Sequence, residues 1–104
     1  MRTIQDLKYG PYEQNLLDIH LPDGECRDFI IWFHGGSLTY GSRKDIKFHE
    51  DLTEQGVGVA SVEYRMYPEV KFPAFVEDSA LAVRWVLDHL QEYAETKRIF
   101  VAGQ

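Results

Sequence analysis

Phe29-Ile30-Ile31-Trp32-Phe33-His34-Gly35-Gly36-Ser37 is the stretch on which the fold turns. Five consecutive apolar residues predict a strand covered on both faces, as in a parallel sheet packed between helices. The two glycines after it let the backbone turn closely and present amide N–H groups with no Cβ atoms in the way. Ile99-Phe100-Val101-Ala102-Gly103-Gln104 repeats the pattern, a buried strand that runs into a glycine where a sharp turn should begin.

Working outward, Leu16 to Leu21 alternates, with Leu17, Ile19 and Leu21 on one side and Asp18 and His20 on the other; Pro22-Asp23-Gly24 ends it as a turn. Val57 to Val62 is apolar and β-branched, and the small residues Gly58, Ala60 and Ser61 predict close approach of a helix. Ser42 with Asp45 three residues later has the form of a capping box, which predicts a helix from Arg43 to Gln55 stopped by Gly56. A longer helix is predicted from Ala74 to Ala94. Its apolar stripe comprises Phe75, Val76, Ala82, Val83, Val86, Leu87 and Leu90, widened by Leu81 and Trp85. Glu77, Arg84, Asp88 and Gln91 are left for solvent. Strands alternating with helices predict an α/β fold with a doubly wound, mostly parallel sheet flanked by helices, and ligands beyond the carboxyl ends of its strands.

Composition narrows the function. The 104 residues carry 17 acidic against 11 basic side chains, a net charge of -6 that argues against nucleic acid as a partner. A single cysteine, Cys26, permits no internal disulfide and no zinc or redox pair, which fits a reducing compartment. No secretory segment or membrane span is visible, so a cytoplasmic protein with no membrane partner is expected. A homo-oligomer is compatible with this composition. No repeat or linker divides the chain, and one domain is expected.

For Gly35-Gly36 three readings are open: a plain turn, a phosphate cradle or an oxyanion hole. The phosphate reading lacks both the spacing of a nucleotide-binding glycine loop and the Gly-Lys-Ser/Thr ending of a P-loop. The rest of the chain favours the third. After the strand at Val57 come Glu63-Tyr64-Arg65-Met66-Tyr67-Pro68-Glu69, then Phe72-Pro73-Ala74 and Asp78. In this ordered set the chain, from about Leu16 to Gln104, resembles the hormone-sensitive-lipase-like and related carboxylesterase branch of the α/β-hydrolases. Those proteins have a His-Gly-Gly-x loop, a Tyr-Arg-Leu-x-Pro-Glu segment, Phe-Pro-Ala and a helical Asp in the same order.

The resemblance implies that residues 1–104 are the N-terminal portion of a single α/β-hydrolase domain. Main-chain N–H groups of Gly36 and Ser37 would hold the oxyanion, with Gly35 and His34 supporting the loop; Ser37 stands where the strongest form of the motif has a third glycine. Arg65 with Glu69 or Asp78 would form an ion pair behind the site, alongside Tyr64. Leu38, Tyr40, Tyr67 and Phe72 would line a substrate pocket, although each is equally readable as packing. His20, His49 and His89 show no ligand spacing and read as surface or satisfied histidines.

The G-x-S-x-G elbow of these enzymes places the nucleophile on a turn between strand and helix. Gly103-Gln104 matches its first two positions, so the serine is expected directly after Gln104, with the acid and histidine later, in the remainder of the domain or in a companion chain. The expected function is hydrolysis of short-chain acyl or aryl esters without metal or organic cofactor, the 104 residues alone being inactive. An arylformamidase-type amide hydrolase uses the same machinery. A non-catalytic fragment or pseudoenzyme acting as an interaction module is the reading from another class, since a terminal strand rich in Ile, Phe and Val needs a neighbour.

Overall fold

The computed structural model describes all residues from Met1 to Gln104. It contains strands β1 (Arg2–Lys8), β2 (Leu16–Leu21) and β3 (Asp28–Phe33), helix α1 (His49–Glu54), β4 (Val57–Val62), helix α2 (Ala74–His89) and β5 (Arg98–Gly103). The five strands form one sheet in the order β1-β2-β4-β3-β5. Its β3–β4 and β3–β5 pairings are parallel, while β1–β2 and β2–β4 are antiparallel. The sheet is therefore mixed, with the parallel half carrying the glycine loop.

Alternation along the strands sorts side chains between two helical layers. Leu17, Ile19, Phe29, Ile31, Ala60 and Val62 share one cluster with Ala82, Val86 and Leu90 from α2 and its extension. Register brings these together, Leu17 opposite Val62 and Ile19 opposite Ala60. On the other face Trp32 and Val59 pack with Ile46, supported by Ile30 and by Leu52 of α1. Ile31 is fully buried in the larger cluster. Ile31→Val is expected to lower the unfolding free energy by about 1 kcal/mol, read by urea denaturation of the full-length protein.

Several expectations need correction. The capping box at Ser42 and Asp45 forms, but it starts a 3-10 turn at Arg43–Asp45 rather than a helix to Gln55. Ile46 leaves the turn with extended backbone (ψ 129) because its side chain is needed in the Trp32 cluster, and α1 begins only at His49. Helix α2 ends at His89 and tightens into a 3-10 turn at Leu90–Glu92. Val76 and Leu87 are more than half exposed and Leu81 is also exposed, so the buried stripe is Phe75, Asp78, Ala82, Val86 and Leu90. Gly58 admits side chains rather than a helix: a Cβ there would lie 2.8 Å from Phe29 and 3.0 Å from the Cys26 sulfur.

Strand β1 carries no clear period in the sequence. Its pairing with β2 slips between Ile4 and Leu7, an irregularity that puts two inward residues three apart instead of two. His20 pairs with the Thr3 hydroxyl and His89 with the Trp85 carbonyl, as expected of satisfied histidines, and the His20 and His49 ring centroids lie 4.5 Å apart.

Candidate active site

Parallel pairing of β3 with β5 brings the glycine loop and the end of β5 together. Phe33 lies opposite Gly103, and the Gln104 N–H donates to the Phe33 carbonyl at 3.2 Å. A Cβ on Gly35 would sit 3.2 Å from that of Gln104. The loop thus bends over the place where the chain leaves β5.

Its backbone is one that glycine tolerates and most residues do not. Gly36 has φ +123 and Gly41 φ +108, and Ser37 and Leu38 also have positive φ. Such angles cost non-glycine residues about 1–3 kcal/mol each and persist only where the surroundings enforce them. The Gly36 carbonyl is that enforcement: it accepts from the Thr39 and Tyr40 N–H groups and from the Thr39 hydroxyl. The N–H groups of Gly36 and Ser37 donate to no acceptor within the chain. They are two adjacent free donors in the loop that Gly35 brings against Gln104, and groups of this kind can stabilise a negative oxygen.

Behind the loop stand three consecutive residues, each with its own task. Tyr64 is buried, donates its hydroxyl to the His34 carbonyl at 2.8 Å and stacks on the His34 ring at 4.4 Å. Arg65 grips Asp78 of α2: its Nη2 donates to Oδ1 at 2.8 Å, its Nε reaches both oxygens, and its backbone N–H donates to Oδ2 at 2.9 Å. The guanidinium lies 3.5 Å from the centroid of the Tyr12 ring. Asp78 is therefore Arg65's carboxylate; Glu69 is exposed and accepts instead from Gln14.

Glu63, the third, belongs to a network that the sequence does not suggest. Arg43 donates to Glu63 at 2.8 Å, to Asp18 at 3.1 Å and also to Asp6. The Ser61 hydroxyl donates to the Arg43 carbonyl at 2.6 Å, and Lys44 adds a second cation 3.3 Å from Asp18. Burial alone would raise the Asp18 and Glu63 carboxyls, but their hydrogen bonds and cations outweigh it, and both lie below the usual range. The only trace in the sequence is the polar pair Asp18 and His20 alternating on β2, which periodicity sets apart from the apolar side. That polar face is buried beneath Arg43.

His34 is buried, its Nδ1 2.8 Å from the Gly35 carbonyl and its Nε2 3.6 Å from Glu63. Burial disfavours a charged ring, yet Glu63 and the Gly35 carbonyl prevail and the imidazole titrates above its ordinary value. Of the other residues, Leu38 and Tyr67 are joined by a bond from the Tyr67 N–H to the Leu38 carbonyl at 2.8 Å. Tyr40 holds its carbonyl against Gly36, and Phe72, 77% exposed, lies just before α2. A cavity of about 580 Å³ lies elsewhere: Cys26, Arg27, Thr96 and Ile99 place it at the amino ends of β3 and β5. Ligands of open α/β sheets bind at the opposite ends, so it is not the candidate site.

A mixed sheet with helices on both faces, whose parallel strand β3 ends in a glycine loop beside the largely exposed end of β5, matches the N-terminal part of the α/β-hydrolase fold. The chain belongs to the BD-FAE family, whose model matches residues 17–104. It is 39% identical over 88 residues to esterase LipI of Mycobacterium tuberculosis, covering 79% of this chain and 27% of that protein. It is 37% identical over 82 residues to probable carboxylesterase 3 of Arabidopsis thaliana, covering 71% of this chain and 26% of that one. Among solved structures a bacterial heroin esterase superposes with a TM-score of 0.77 at 30% identity, over 99% of this chain and 34% of its own. The chain thus spans about a quarter to a third of these relatives.

Proposed function

We propose that the protein is a serine carboxylesterase in which this chain supplies the oxyanion hole. The observation that carries the reading is the contact of Gly35 with Gln104 at the end of β5, in a loop whose next two N–H groups, on Gly36 and Ser37, are free. A serine directly after Gln104 would stand on the turn beside these donors. Attack of its Oγ on an ester carbonyl puts negative charge on the carbonyl oxygen, which the two N–H groups and the N–H after the serine receive. Histidine takes the serine proton and returns it to the leaving alkoxide; water then repeats the sequence to release the acid. Exposed Leu38, Tyr40, Tyr67 and Phe72 form the rim that meets the acyl or alcohol group, and short-chain acyl or aryl esters fit so open a surface.

The test is covalent labelling. The full-length protein, treated with a fluorophosphonate and digested, is expected to carry the adduct on a serine immediately after Gln104 and to hydrolyse p-nitrophenyl acetate until labelled. The 104 residues alone are expected to be inactive, since none of their serine hydroxyls is hydrogen-bonded to a histidine. An adduct elsewhere, or a residue other than serine at that place, would overturn the reading. Faster turnover of a formanilide than of the matching phenyl ester would move the activity to an amidase without changing the site.

A further inference from the structure

His34 is a closely enclosed titratable group. Its side chain is fully buried, flat against Tyr64 with an interplanar angle of 13°, and each ring nitrogen faces an acceptor. The Gly35 carbonyl at 2.8 Å can only accept, so Nδ1 carries a proton. Nε2 is buried without a hydrogen-bond partner, and a Glu63 carboxylate oxygen, again only an acceptor, lies 3.6 Å away. A neutral ring would turn the Nε2 lone pair toward that negative charge. A protonated Nε2 turns a donor toward it instead, and a modest movement shortens the contact to a hydrogen bond.

From this geometry we propose that Glu63 is a positioning residue that holds His34 as an imidazolium, and that the charged ring anchors the Gly35 carbonyl and with it the oxyanion donors. The acidic groups around the ring favour it. Glu63 comes directly after β4 and Asp45 belongs to the 3-10 turn; both favour a cation, while Tyr64 presents only its ring face. Arg43, the nearest cation in the network, is spent on Glu63 at 2.8 Å, on Asp18 and on Asp6. Arg43 thereby orients the carboxylate, whose second oxygen, Oε2, is left for His34. The chain of contacts Asp18–Arg43–Glu63–His34–Gly35 ties the buried polar face of β2 to the loop. Its catalytic consequence rests on the esterase reading, but the protonation state does not.

A histidine stabilised in its charged form contributes to loop stability below its unfolded value of 6.5, and the contribution is lost as pH rises through the higher folded value. The turnover of the full-length enzyme should therefore decline on the alkaline side as His34 loses its proton.

The experiment is a long-range nitrogen–proton NMR titration of the full-length protein labelled at histidine nitrogen, with the His34 signal assigned by its disappearance in His34→Asn. At pH 6.5, where an ordinary histidine is half charged, both ring nitrogens are expected predominantly at imidazolium shifts in the unmodified protein. In Glu63→Gln one of them should move to the unprotonated position, and Glu63→Asp should recover the charged form in part. Turnover of Glu63→Gln is expected to fall roughly tenfold with KM little changed, as for one lost charge-assisted hydrogen bond in the transition state. A His34 ring that is half neutral or more at pH 6.5 in the unmodified protein overturns the proposal, whether or not any variant folds. An unaltered ring in folded Glu63→Gln overturns it equally. Failure of the esterase reading would appear separately, as an absent fluorophosphonate adduct with these signals unchanged.

Discussion

Asp78→Ala is expected to lower the unfolding free energy of the full-length protein by about 3–5 kcal/mol, read from urea denaturation followed by tryptophan fluorescence. The magnitude comes from what is left behind. Asp78 is fully buried on the sheet-facing side of α2, and it accepts from the Arg65 backbone N–H as well as from the guanidinium. Removing it strands a half-buried cation and a main-chain donor together. Stacking of Arg65 on Tyr12 supplies no more than about 1 kcal/mol at so exposed a ring, too little to compensate. Asp78→Asn keeps an acceptor for the N–H and should recover part of the loss. A cost below about 1 kcal/mol for Asp78→Ala would mean that the pair does not tie α2 to the segment after β4. Loss of that tie should also loosen Tyr64, the adjacent residue, which supports His34 from behind.

The range of each interaction decides how much of it the sequence discloses. The strands Leu16–Leu21, Phe29–Phe33 and Val57–Val62 are legible because a run of apolar residues, or a strict alternation, is a local pattern with one structural solution. Strand β1 is not, because the bulge between Ile4 and Leu7 destroys the period on which recognition depends. Ser42 and Asp45 announce a helical turn correctly, but a cap specifies only a beginning. The path of the chain beyond that turn is decided by the demand for Ile46 in a cluster on the far side of the sheet. In the site, the glycine loop and the pairing of Arg65 with a nearby carboxylate are open to reading from residue type. The Arg43 hub is not, since it joins Asp6, Asp18 and Glu63 from separate parts of the chain, and only sheet register sets Asp18 opposite Ser61 beneath Arg43.

These contacts divide the support of the loop into two parts with different chemistry. Tyr64 fixes His34 through a hydrogen bond to its main-chain carbonyl, which does not depend on the charge of the imidazole, and through a stacked face. Glu63 and Arg43 act through charge. The loop should consequently remain folded when His34 loses its proton, with its donors less well placed. Turnover is then affected before stability is, a separation that a thermal melt and a rate measured at the same pH would reveal.

Gly36→Ala is the substitution with the largest expected effect on catalysis under the esterase reading: a fall of roughly 100- to 1000-fold in kcat, as on removal of an oxyanion donor. A Cβ at this position would lie 1.9 Å from the Tyr40 carbonyl oxygen, and φ is +123, so the new methyl meets both a clash and a disfavoured backbone angle. The obstacle is main chain, held by the Tyr40 N–H bonded to the Gly36 carbonyl itself, and it cannot swing aside as a side chain would. Relief requires Gly36 to rotate, which turns its own N–H and that of Ser37 away from the end of β5. Substrate binding relies on the rim rather than on these donors, so KM should change much less than kcat. Gly24→Ala is the control, because nothing lies within 4 Å of a Cβ there and no activity should be lost. Ser37→Ala is the complement: the donor assigned to Ser37 is its N–H, and removing the hydroxyl should leave kcat within a few-fold of the unmodified enzyme, a difference of under about 1 kcal/mol. Wild-type kcat in Gly36→Ala would place the oxyanion donors elsewhere. A Ser37→Ala enzyme as impaired as Gly36→Ala would show that the hydroxyl, and not the main chain, receives the charge.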